Sequence, residues 1–184
     1  MSQPPYHGEL PRRTLAPPFF TALFMNNIYT QLQTLGIDLP PVATPAAAYV
    51  PFVVQGSWIY LSGHIAKKEG LVYSGQLGLN MSTAQGYEAA KRVAIDLLGT
   101  LHAACLSVGK DLNQIDKIVK VMSLVNSTAL YTEQHLVTNG CSELLLDVLG
   151  PRGQHARSAF GVAQLPMGAC VEIELVATLT SSQP

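Results

Sequence analysis

Two residues near the C-terminus, Arg157 and Glu172, are of the types that handle small organic acids. A guanidinium presents a planar fork to the two oxygens of a carboxylate, and a carboxylate can take a proton from water and return it. Glu172 falls on the polar register of a strand whose other register is Val171, Ile173 and Leu175, so it sits on the face turned away from the helices, where a subunit contact is expected and a carboxylate needs a reason. Other chemistries lack their residues. The histidines His7, His64, His102, His135 and His155 form neither His-x-x-x-His nor His-Glu-x-x-His, which leaves metal catalysis without a signature. Gly-x-Gly-x-x-Gly and Gly-x-x-x-x-Gly-Lys-Ser/Thr are both missing, so no phosphate-cradling loop points to a nucleotide, and no cofactor is expected. Gly-x-Ser-x-Gly is absent too, and Ser62-Gly63-His64 is read as one strand with serine and histidine on opposite faces, where they cannot share a proton. Cys105, Cys141 and Cys170 match neither a disulfide framework nor a paired zinc signature, which suits a reducing cytoplasm.

These residues need a scaffold, and the pattern predicts one. Residues 1–22 are Pro-rich without hydrophobic period and are read as a poorly ordered leader, although Arg12-Arg13 before an apolar stretch has the outline of an export signal. Met25 is an alternative start, because a short docking helix is predicted from Met25 to Leu35, with residues 23–44 as helix and linker and 45–179 as the core of a single domain. Residues 49–65 read as a hairpin around Gln55-Gly56-Ser57, and Leu71-Val72-Tyr73 as a brief third strand. Ser82 to Ala104 opens with a Ser82-x-x-Gln85 capping box and continues as an amphipathic helix. A strand over 115–125 and a second helix within 131–149 follow. The chain closes with strands 156–165 and 169–179, joined as a hairpin by Pro166-Met167-Gly168. In such a hairpin Arg157 and Glu172 lie five positions out of register, roughly 16 Å apart, so any joint action would cross a subunit boundary.

The order is α+β, with two helices that can cover only one face of a sheet. Composition explains the other face. Hydrophobic residues make up 48% of the 184 and charged ones only 12%, too few to coat a small domain. Copies packing sheet against sheet around a symmetry axis would resolve both facts. A net charge of −1 without a basic stripe disfavours nucleic acid, and no apolar run reaches membrane-spanning length.

His155-Ala156-Arg157-Ser158-Ala159-Phe160-Gly161-Val162-Ala163-Gln164-Leu165-Pro166, followed by Val171-Glu172-Ile173-Glu174, resembles the C-terminal signature of the RidA (YjgF-type) family. The resemblance extends to Tyr49-Val50, Ile59-Tyr60-Leu61-Ser62-Gly63, Ile118-Val119-Lys120 and Asn139-Gly140. It implies a chorismate-mutase-like fold, with a mixed sheet and two helices on one face, assembled as a homotrimer with clefts between subunits. It implies hydrolysis of reactive 2-imino (enamine) acids to 2-keto acids and ammonia. Arg157 would capture the substrate carboxylate and Glu172 would activate water, while Tyr49, Ser62, Gly63, Asn139 and the backbone N–H of Ala159 would bind substrate. Ala159 stands where many members have cysteine, and the segment from Tyr131 to His155 is longer than in the typical deaminase. A non-enzymatic module that binds small carboxylates such as 2-keto acids is the alternative, and the ribonuclease activity attributed to some relatives would need basic surface.

Overall fold

The computed structural model describes residues 27–42 and 48–181, so the expected leader and the alternative start at Met25 lie outside the described residues. The docking helix is shorter than the pattern suggested. Helix α1 spans Ile28–Thr34, with the Asn27 side chain accepting from the Tyr29 amide and Ile28 and Leu32 buried. It lies on the helical layer: the Ile28 amide donates to Asn113 Oδ1, and Gln31 donates to the carbonyl of Asp147. The following linker crosses Gly99, where a Cβ would come within 2.4 Å of the Pro40 carbonyl.

Strands β1 (Phe52–Gln55) and β2 (Trp58–Ile65) form the expected hairpin, with Gly56 at φ +60° in its turn. Strands β3 (Lys67–Lys68) and β4 (Leu71–Val72) make a separate ribbon, which leaves Tyr73 outside any strand. Helix α2 (Thr83–Leu106) begins at the predicted capping box. Strand β5 (Ile115–Asn126), helix α3 (Gln134–Leu149), β6 (Ala156–Val162) and β7 (Val171–Leu179) complete the chain.

The predicted closing hairpin is not formed. The main sheet runs β1-β2-β7-β5-β6, so β5 lies between the two final strands. Strand β6 pairs in parallel with β5, a pairing that needs a long crossover, and α3 supplies it. Pro166-Met167-Gly168 forms a 3-10 turn instead, tied down where the Gly75 amide donates to the Gly168 carbonyl. The mixed α+β sheet is otherwise as expected, with α2 and α3 on one face, covering Ile118, Val121, Val125, Ile173, Leu175 and Ala177.

The opposite face is left uncovered among the described residues. Trp58 and Tyr60 stack there at 6.4 Å, and Val53 and Phe160 are also exposed. On the helical side, α2 and α3 meet closely at Gly140, where a Cβ would sit 2.0 Å from the Tyr87 carbonyl. Any side chain there must push α3 off α2. Gly140→Ala is therefore expected to destabilise by about 1–3 kcal/mol, measured by chemical denaturation.

Candidate functional site

Arg157 stands opposite Val121 on β5, whose side chain is buried beneath the helices, so the arginine lies on the helix-covered face at the sheet's edge. Glu172 stands opposite Leu124, in the row that faces away from the helices. The two levels differ by three residues of β5 and two strand spacings, which is ~10 Å along the sheet and ~10 Å across it, on opposite faces. This placement corrects the hairpin register expected from the sequence, and within one copy of the chain the pair does not meet.

The structure instead makes two half-sites. In the first, Arg157 is exposed, and its Nη1 donates to Asn139 Oδ1 at 2.8 Å and to Ser142 Oγ at 3.2 Å. Its Nε and Nη2 have no hydrogen-bond partner among the described residues. Ala159, level with Ser123, lies on the same face as Arg157. The Ser123 hydroxyl beside it is buried with no hydrogen-bond partner among the described residues.

In the second, Glu172 is half-buried and its carboxylate lies over the backbone of Gly63, where a Cβ would come within 2.2 Å of Oε1. A bulge in β2 between Leu61 and His64 brings the Gly63 backbone there. Strict alternation would put Ser62 and His64 on one face; the bulge separates them. Ser62 Oγ donates to the Val50 carbonyl at 2.7 Å, while His64 turns to α2, with Nδ1 2.8 Å from its own strand's Ser62 carbonyl and Nε2 2.8 Å from Thr100 Oγ1. Tyr49, exposed and adjacent to Val50, flanks this half-site. No partner for either carboxylate, Glu172 or Glu174, occurs among the described residues. Burial, with the neighbouring Glu174 charge adding to it, raises the Glu172 carboxyl above its ordinary value.

Of the residues singled out in the sequence, Arg157 and Asn139 meet directly, as do Glu172 and Gly63. Ser142 and His155 were not anticipated. Their signals are the spacing of three that puts Ser142 one turn from Asn139, and the spacing of two that puts His155 on the Arg157 side of the chain. The cysteines are inert by burial, which pushes Cys105 and Cys141 up to about 12 and Cys170 to about 11. Among the described residues no group of three or more His, Cys, Asp or Glu could hold a metal ion, and no helix is long and apolar enough to cross a membrane.

Residues 29–179 match a family model described as "YjgF/chorismate_mutase-like, putative endoribonuclease". The chain belongs to the YjgF (RidA) family. Its fold is accordingly the chorismate-mutase-like fold of that family. "Protein TCP17" of Trypanosoma cruzi is 40% identical over 156 residues, 84% of this chain and 95% of that protein. The protein Atu1372 of Agrobacterium tumefaciens, described as of unknown function, is 37% identical with a TM-score of 0.73, covering 83% of this chain and 93% of its own. A Shewanella oneidensis protein described as a "putative endoribonuclease" is 28% identical with a TM-score of 0.78, covering 84% of this chain and 100% of its own.

Two outcomes test the local physics of this YjgF-family site. Removing the unpartnered hydroxyl with Ser123→Ala should leave stability unchanged or raise it by about 1 kcal/mol in chemical denaturation. Burial is the main cause that holds His64 and His155 below the ordinary imidazole range. The unfolded chain therefore binds protons first as pH falls, so their contribution is present above about pH 6.5 and lost below it. The raised Glu172 and Asp96 carboxyls act in the opposite sense, so the histidine part is read as a difference: between about pH 7 and about pH 5 the melting temperature of the wild type should fall relative to that of the doubly substituted His64→Gln/His155→Gln protein.

Proposed function

We propose that this protein hydrolyses reactive 2-imino (enamine) acids to 2-keto acids and ammonia in clefts between copies of a homotrimer. The observation that carries this reading is Glu172: a half-buried carboxylate without a partner among the described residues, on a sheet face that nothing described covers. Arg157, with Nε and Nη2 unengaged, is the complementary half on the other face. Packing of copies would bury the exposed Trp58, Tyr60 and Phe160 and could bring one copy's Arg157 to another's Glu172.

In the proposed reaction, Arg157 grips the substrate carboxylate. The protonated imine is already electrophilic. Glu172 takes a proton from water as the oxygen bonds to the imine carbon, and passes that proton to the nitrogen. The C–N bond then breaks, ammonia leaves, and the hydroxyl proton departs through the same carboxylate to leave the keto acid. A carboxyl raised by burial suits a group that must both take and return a proton. Tyr49, Ser62, Gly63, Asn139 and Ala159 shape the two halves. A net charge of −1 offers phosphates little attraction, which weighs against the endoribonuclease activity by which the Shewanella relative is described.

Ammonia release from 2-iminobutanoate, generated in place by a dehydratase, should be accelerated by the wild type. Arg157→Ala and Glu172→Gln should each lower the rate at least 100-fold with the oligomer retained in sedimentation. Gly63→Ala should lower it too, since its methyl would displace the Glu172 carboxylate. Wild-type release no faster than the uncatalysed reaction, with small carboxylates still raising the melting temperature, would instead favour a binding module.

A further inference from the structure

Arg157 is held from one side by a hydrogen-bonded chain. Nη1 donates to Ser142 Oγ, Ser142 Oγ lies 3.0 Å from His155 Nε2, and His155 Nδ1 lies 2.6 Å from the Gly153 carbonyl. A carbonyl only accepts, so Nδ1 carries the hydrogen. The charged groups bearing on the ring, Arg157 from β6 and Lys117 from β5, are both cations and oppose a second proton. Nε2 therefore accepts, and the single hydroxyl hydrogen of Ser142 goes to it. Ser142 can then show Arg157 only lone pairs, and every donor in the chain points the same way. The far end is fixed as well. Gly153 is pressed against α3 so closely that a Cβ would stand 2.2 Å from the Leu145 carbonyl, which anchors the acceptor for His155. Asn139, one turn before Ser142 on α3, adds the second grip on the same nitrogen.

We propose that Ser142 and His155 are positioning residues for Arg157: they hold its Nη1 so that Nε and Nη2 remain directed outward as a two-point clamp for a ligand carboxylate. This rests on the reading of Arg157 as the carboxylate anchor. Without the chain the guanidinium would keep only the Asn139 contact, and part of each binding event would go into ordering it.

The test is a calorimetric titration with 2-oxobutanoate of the wild type, Ser142→Ala, His155→Ala, His155→Gln and Arg157→Ala, with melting temperatures recorded alongside. Ser142→Ala and His155→Ala should bind roughly tenfold more weakly, the size of losing one charge-assisted hydrogen bond. His155→Gln keeps an acceptor for Ser142 and should stay within about threefold of the wild type. If His155→Ala does not fold, Ser142→Ala decides alone. Wild-type affinity in Ser142→Ala, beside lost affinity in Arg157→Ala, would overturn the positioning role and leave the anchor standing. A wild type that binds no 2-oxobutanoate, or an Arg157→Ala protein that binds it equally well, would overturn the anchor and the positioning role with it. Independently of any ligand, nitrogen NMR of the imidazole should show the His155 hydrogen on Nδ1, and finding it on Nε2 would overturn the chain.

Discussion

Everything about the candidate site depends on β5 lying between β6 and β7. Had the last two strands paired with each other, Arg157 and Glu172 would share one two-stranded ladder. The inserted strand sets them on different levels and opposite faces, and the parallel partnership of β5 and β6 brings α3 over the arginine's edge. The same insertion therefore explains why the guanidinium finds Asn139 and Ser142, and why the carboxylate has no partner among the described residues.

Much of this was legible in the sequence. Helix α2 announced itself through Ser82 and Gln85 because capping is a local interaction, and the first hairpin through Gly56 because a tight turn is too. The failure was the closing hairpin. Pro166-Met167-Gly168 has turn chemistry and both flanks alternate, but pairing partners are chosen by burial across the whole sheet, and β5, long and rich in Val and Ile, was the better neighbour for each. Glu172 and Arg157 could be picked out by type and register. The contacts that orient them could not, since Ser142, His155 and the β2 bulge meet them only through tertiary structure.

Close backbone approach is the recurring means of fixing geometry here. Gly140 lets α3 touch α2, Gly153 lets the turn before β6 touch α3, and Gly63 lets a carboxylate lie on a strand. At Gly140 and Gly153 the neighbour is main chain and leaves no room for a methyl group, whereas at Gly63 it is the Glu172 side chain, which a methyl would displace. The unaccompanied hydroxyl of Ser123 shows that the interior is not uniformly optimised.

The uncovered face also carries a built-in optical gauge. The chain has a single tryptophan, Trp58, and it stands half in solvent against Tyr60 on that face. Its emission is therefore governed by whatever lies over the sheet rather than by the core. Dilution or association would shift the indole's surroundings from wet to dry without any label, and the same signal would stay silent to events confined to the helical side.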